Sequence, residues 1–346
     1  MKKALKVLSR ILLVILILII LTLIFCFFYQ KIGQKKDREL LEKDGFCHLY
    51  DAGDYKMNIN IYDEGKNKII AMPGNGDTDF TVDMKVFSEY LSDDISLVVV
   101  TRPGYGLCEE TDHDITTEYI VDSTRTALKN AGIEGPYILM PHSLSGIYGT
   151  YWESTYPDEV SGVIFLDSIN EAQPEITDEN WTEPPAVMKF LCKAGLFRVI
   201  ADLQDSDDES DPYSNDLDAL YDVNPTAFSK SGISELKNFN RNMKTAWASI
   251  KANDIPKIYI STNYQSLDDA KDYLMYINGE ADEAEAKEQF NEQQTDEQKE
   301  YRSKRSEYID KLGNCKEINI PGSHFIYSQK PEALAKVISD FIGELK

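Results

Sequence analysis

The sequence predicts an α/β fold: a doubly wound, mostly parallel sheet with helices on both faces, a helical lid, and one N-terminal membrane-spanning helix. Three observations predict it. Apolar, strand-like runs recur at 68–72, 95–101, 137–140, 160–166, 257–261 and 315–320, with helical patterns between most of them. That alternation breaks at 170–252, where helix-like pieces follow one another with no convincing strand. And residues 11–28 carry no charge at all, with Thr22 as their sole hydroxyl.

The N-terminal run comes first. At about 1.5 Å per residue it spans roughly 27 Å of helix, enough for a bilayer core. No small-x-small cleavage site follows it, and Phe25 is too bulky for a lipoprotein signal at Cys26. The expectation is a short basic tail over 1–10, an uncleaved anchor over 11–29 and a charged, helical linker over 30–46. Lys2, Lys3, Lys6 and Arg10 precede the run, and Lys31, Lys35, Lys36 and Arg38 follow it. This balance gives only a slight preference, through the free amino terminus, for an extracytoplasmic domain.

The whole chain carries a net charge of −23, and its first forty residues hold 8 basic against 2 acidic side chains, so the remainder is more acidic still. Such a domain repels nucleic acid and anionic headgroups. Cys26, Cys47, Cys108, Cys192 and Cys315 are scattered, without C-x-x-C or zinc spacing. No metal and no cofactor is expected. Residues 47–346 are long enough for one large domain with its own core.

Within that domain, 47–62 alternates as paired strands do, as in KMNINIY. The strand at 68–72 runs into the glycine-rich turn Pro73-Gly74-Asn75-Gly76-Asp77, and an amphipathic helix follows at 81–91. The strand at 95–101 runs into Arg102-Pro103-Gly104-Tyr105-Gly106 and a helix at 116–130. The strand at 137–140 stops at Pro141 and a helix occupies 147–156; the next strand, 160–166, ends at Asp167. The block at 170–252 includes an acidic, loop-like stretch at 202–218. It also carries a stripe at helical spacing, Val187, Phe190, Leu191, Ala194 and Phe197, expected chiefly to pack on the domain with its inner face lining the pocket. After the strand at 257–261 comes a charged helical insertion at 268–312, then the last strand and a final helix at 331–345.

Four segments then resemble the α/β-hydrolase family, serine hydrolase branch. Tyr137 to Gly149, read YILMPHSLSGIYG, is strand, sharp turn and helix with Ser143 at the apex, as in a nucleophile elbow. The family pattern G-x-S-x-G has glycine where this chain has Pro141 and Ser145. Residues 102–106 resemble the family's D-R-P-G-Y-G turn, with Thr101 replacing Asp. Ile133 to Tyr137 resembles the lead-in to the elbow strand. Pro321-Gly322-Ser323-His324, followed by Lys330-Pro331-Glu332, resembles the P-G-x-x-H segment before the last helix, with the histidine one residue early. The likeness covers roughly 48–345 and implies the family fold, with 170–252 as its lid.

The resemblance also implies a site. Ser143 would be the nucleophile, which needs a base to take its proton. Of the four histidines only His324 follows the last strand, where this fold delivers its base; His142, next to the serine, should point away from it. The acid is Asp167, or alternatively Asp268 or Asp269 after the strand at 257–261. The oxyanion hole would use the backbone N–H groups of Leu144 and Asn75. A dehalogenase would carry Asp in place of Ser143. The expected function is a membrane-anchored serine hydrolase cleaving an ester or related acyl bond of a small, uncharged, apolar substrate. The alternatives are an acyltransferase or peptidase on the same residues, or a binding module that keeps the fold without turnover.

Overall fold

A computed structural model describes residues 2–177, 179, 181–204 and 213–345. The elements in chain order are α1 (Lys2–Lys43), β1 (Leu49–Asp51), β2 (Lys56–Tyr62), β3 (Asn67–Met72), α2 (Phe80–Ser88), β4 (Ile95–Val100), α3 (Thr117–Asn130), β5 (Tyr137–Pro141), α4 (Gly146–Thr155) and β6 (Val160–Leu166). The lid follows as α5 (Ala186–Lys193), α6 (Leu196–Gln204), α7 (Ser214–Val223), α8 (Lys230–Lys237) and α9 (Phe239–Ser249). Then come β7 (Asn253–Ser261), α10 (Leu267–Asn278), α11 (Glu283–Glu292), α12 (Asp296–Leu312), β8 (Gly313–Asn319), α13 (Ile326–Gln329) and α14 (Pro331–Glu344).

The strands form one sheet in the order β1-β2-β4-β3-β5-β6-β7-β8. The pairs β1–β2 and β2–β4 are antiparallel, and every pair from β4–β3 to β7–β8 is parallel. The central strands are buried on both faces, so successive side chains feed opposite cores. Ile70, Met72, Val98, Val100 and Leu139 pack with α3, α4 and α9 through Val121, Leu128, Tyr148, Trp152 and Met243. Their neighbours Ile69, Ala71, Leu97, Val99 and Ile138 pack with α2 and α14 through Met84, Phe87, Leu334 and Ile338. This is the α/β-hydrolase type of architecture, and it places the C-terminal ends of β3, β5, β6 and β8 side by side at one edge.

Two regions differ in detail from the sequence reading. Of the stretch 202–218, expected as an acidic loop, 205–212 lie outside the described residues, while 202–204 end α6 and 214–218 open α7. In the apolar stripe, Ala194 is buried, but Val187 and Phe190 are 60% and 57% exposed. Helical spacing gives the stripe a common face, and on α5 much of that face points outward.

The apolar run forms part of α1, whose most apolar 18-residue window has a mean hydropathy of 3.6 and is almost unburied. It is long and apolar enough to cross a membrane. Residues 30–43 continue the same helix. There Leu41 is fully buried, in a cluster with Val82, Leu107, Ala219 and Leu220, so the end of α1 is seated on the lid helix α7 and on the sheet domain.

Candidate active site

Ser143 sits between β5 and α4 in a one-turn 3-10 helix. Its φ is +50°, in the left-handed region that a side chain with a Cβ rarely adopts. Such a conformation costs on the order of 1–3 kcal/mol and persists only where the surroundings impose it. Several contacts impose it here. The Met72 carbonyl accepts from the His142 N–H at 3.0 Å, and the Ser143 carbonyl accepts from the Ile169 N–H at 2.8 Å. Ser168 Oγ donates to the Pro141 carbonyl at 2.5 Å. The apex is therefore tied to both neighbouring strands.

The departures at Pro141 and Ser145 each have a local accommodation. An added Cβ on Gly149 would lie 2.6 Å from Pro141 Cγ, so the proline ring fills the space a glycine on α4 leaves open. Ser145 donates from Oγ to the Pro73 carbonyl at 2.5 Å and accepts from Arg102 Nη1 at 2.8 Å. The serine hydroxyl thus joins the elbow to the loop after β3.

That loop lies against Ser143. A Cβ on Gly74 would come within 3.1 Å of Ser143 Cβ and 3.0 Å of His142 Nδ1, closer than ordinary packing allows. The Gly74 N–H donates to Asp77 Oδ2 at 3.0 Å, which makes Asn75 the next backbone donor along the loop. Arg102 clamps the loop from behind. Its guanidinium donates to the Pro73 carbonyl at 2.5 Å and the Gly74 carbonyl at 2.6 Å. The same guanidinium pairs at 2.7 Å with Glu235 of α8, both groups being buried. Tyr105 and Tyr148 donate to the two Glu235 oxygens at 2.5 and 2.6 Å. Burial opposes the Arg102 charge, but Glu235 outweighs it and raises the guanidinium pKa further.

Two histidine–aspartate pairs stand at this edge, one of them on His142, the residue before Ser143. In the first, His324 Nδ1 lies 2.6 Å from Asp167 Oδ2, and Thr262 Oγ1 donates to that oxygen at 3.1 Å. Asp167 also has a positive φ, +39°, at the end of β6. Burial lowers the His324 pKa, but the hydrogen bond and charge of Asp167 outweigh it, so the imidazole titrates above its ordinary value. In the second, His142 Nδ1 lies 3.0 Å from Asp77 Oδ2, and His142 Nε2 lies 3.1 Å from the His324 carbonyl. Burial raises the Asp77 carboxyl, but the His142 hydrogen bond and charge, the Gly74 N–H and Arg102 hold it below the usual range. The two imidazole rings are 4.6 Å apart, centroid to centroid.

The structure thus brings Asp167 to His324, and gathers Ser143 and the Gly74–Asn75 loop around His142, which abuts the His324 ring. Leu144 follows Ser143 at the apex. Asp268 is in the first turn of α10, and Asp269 caps that helix by accepting from the Ser266 N–H at 2.8 Å. Neither is the carboxylate on the imidazole. Sequence reasoning missed the Asp77–His142 pair; a buried histidine beside a serine, with one carboxylate in the preceding glycine-rich turn, was its available signal. Among the described residues no cluster of histidine, cysteine and carboxylate groups is arranged to hold a metal.

Comparison with known proteins agrees with this architecture. The structure resembles the putative ancestral haloalkane dehalogenase AncHLD2, with a TM-score of 0.57 at 14% identity over 86% of this chain and 99% of that one. It also resembles haloalkane dehalogenase DatA of Agrobacterium tumefaciens C58, with a TM-score of 0.56 at 15% identity over 86% and 97% of the two chains. Cfl2 of Burkholderia cenocepacia gives a TM-score of 0.55 at 14% identity over 85% and 94%. At such identities the likeness is one of fold: the chain has the α/β-hydrolase fold. No family profile matches the sequence. It is 34% identical over 167 residues to the uncharacterized protein YbdG of Bacillus subtilis (strain 168), covering 48% of this chain and 51% of the relative. It is 32% identical over 79 residues to the uncharacterized protein C23C11.06c of Schizosaccharomyces pombe, covering 23% and 15%. The chain therefore spans about half, or less, of the length of the curated relatives it matches.

Proposed function

We propose that the protein is a membrane-anchored serine hydrolase that cleaves an ester or related acyl bond through an acyl-serine intermediate. The observation that carries this reading is Ser143 held at positive φ on a strand-to-helix apex, at the sheet edge that also holds the Asp167–His324 pair. His324 Nε2 accepts the Ser143 hydroxyl proton as Oγ attacks the acyl carbon. Asp167, on Nδ1, fixes the tautomer and stabilises the imidazolium. The oxygen of the tetrahedral intermediate takes hydrogen bonds from the Asn75 and Leu144 N–H groups. His324 returns its proton to the leaving group. Water, deprotonated by His324, then attacks the acyl-serine and releases the acid.

The acidity of the chain favours uncharged or cationic over anionic substrates. Helix α1 provides the anchor, with the hydrolase domain on the extracytoplasmic side. Ser143→Ala is expected to abolish turnover of small activated esters such as p-nitrophenyl butyrate while the thermal transition is retained. Undiminished hydrolysis by that variant would remove Ser143 from the reaction. The anchor predicts that full-length protein stays with membranes through a carbonate wash, because high pH and salt disrupt charge pairing and leave apolar burial intact.

A further inference from the structure

The lid helices α5 and α6 expose apolar side chains that a water-soluble domain would cover, and α6 buries an arginine. Val187, Phe190 and Leu203 are 60%, 57% and 80% exposed, whereas Arg198 is 8% exposed and paired with Asp37 and Asp222. A helix on an aqueous surface would bury the first three and leave the arginine in solvent. The corner between these helices also has a defined depth along α1. An added Cβ on Gly195 would lie 2.4 Å from the Cys26 carbonyl oxygen and 2.6 Å from Gln30 Cβ. Cys26 is inside the charge-free run, which ends at Phe28.

We infer that α5 and α6 lie in the surface of the bilayer that α1 crosses, with Val187, Phe190, Ile200 and Leu203 inserted among the lipids; this rests on the reading of α1 as an anchor. A corner touching Cys26 stands level with the last turn of the apolar run. It cannot be far from the hydrocarbon boundary. Phe228 bridges the two regions: it lines one hollow with Phe27 of α1 and Cys192 of α5, and a second with Phe190, both otherwise rimmed mainly by polar and charged side chains. Lys31 and Lys193 rim the first hollow, at the level where headgroups are found. The lid is thereby fixed between the sheet edge that carries Ser143 and the membrane. Through Glu235 on Arg102, that same lid reaches the loop after β3. The class of substrate that suits this placement is a neutral acyl ester dissolved in the leaflet.

The test uses full-length protein in vesicles of phosphatidylcholine, with and without brominated acyl chains. Tryptophan is introduced singly as Phe190→Trp, Leu203→Trp or Asp158→Trp. Asp158 is exposed at the start of β6, the opposite end of the strands from the lid. Fluorescence above the wild-type background is read for each. With side chains a few ångströms into the acyl region, the brominated lipid should roughly halve the signal of Phe190→Trp and Leu203→Trp and leave Asp158→Trp unchanged. Equal quenching at all three positions, or none at 190 and 203 in protein that resists carbonate extraction, would overturn the inference and leave the anchor standing. Carbonate-extractable protein would overturn both. Burial of position 190 against a second copy, seen as concentration-dependent protection without quenching, would also overturn it.

Discussion

The two histidine–aspartate pairs are the same chemical unit in two settings. Asp77–His142 is sealed: its side chains are 8% and 1% exposed, and Phe80 and Tyr327 close over the imidazole. Both imidazole nitrogens are within hydrogen-bonding distance of protein oxygens. Asp167–His324 is open: its side chains are 21% and 42% exposed, and the protein partner is on Nδ1. A sealed pair serves as scaffold, because its hydrogen bonds are already satisfied and a lost partner leaves a buried polar group. An open pair suits a base, the role proposed for His324. With the rings 4.6 Å apart, the sealed pair holds the Gly74 loop and, in the proposed mechanism, the open pair exchanges protons.

The contrast is broken most directly by exchanging the two histidines for alanine. His324→Ala is expected to lower kcat by about 10³-fold or more with the melting temperature nearly unchanged. His142→Ala is expected to do the reverse in emphasis. It should cost about 2–4 kcal/mol of stability in a denaturant titration, since it empties a packed site and strands Asp77, with a smaller loss of kcat. Equal losses of stability from both substitutions would show that the pairs are not distinct.

The next effect is on pH dependence. The reaction needs neutral His324, so kcat/KM should rise with pH through a value above 6.5, the raised imidazole pKa. Asp167→Asn removes the group that raises it. A lower plateau is expected, with its acid limb shifted to lower pH. Stability follows opposite signs for the two pairs. The elevated His324 pKa adds stability that is fully present below the unfolded value and fades as pH rises through the folded one. The depressed Asp77 pKa adds stability that is present above its unfolded value of 3.8 and is lost as pH falls through the folded one. Asp77→Asn should therefore flatten the decline of melting temperature below pH 4.

The smallest expected change is Ser145→Gly, which restores the glycine of the family pattern. It removes the hydroxyl between the Pro73 carbonyl and Arg102, at a cost of about 1 kcal/mol of stability. Oxyanion stabilisation should weaken by a few-fold as the loop loosens. A gain in stability would mean that the hydroxyl is merely tolerated there.

Much of this fold was legible because parallel strands buried on both faces read as apolar runs. Ile95–Val100 and Val160–Leu166 stand where those runs fall. Ser143 was legible because a strand, a small-residue turn and a helix meet at one residue. What escaped depends on contacts distant in sequence. His142 and Asp77 are 65 residues apart, and neither carries a local mark of the pairing. The outward face of α5 escaped for a different reason. Helical spacing groups Val187 with Phe190 and Ala194 but is silent on whether that face meets a core, a pocket or a membrane. Pro141 read as a departure from the family pattern, because its compensating contact lies on Gly149, eight residues further on.

The central claim is that Ser143 is an activated nucleophile. The most direct measurement is covalent labelling of the full-length protein by a fluorophosphonate, with the modified peptide identified by mass spectrometry. Labelling on Ser143, lost in Ser143→Ala and strongly slowed in His324→Ala, is the predicted result. A folded wild-type protein that stays unlabelled, or labelling that persists at another residue in Ser143→Ala, would contradict it.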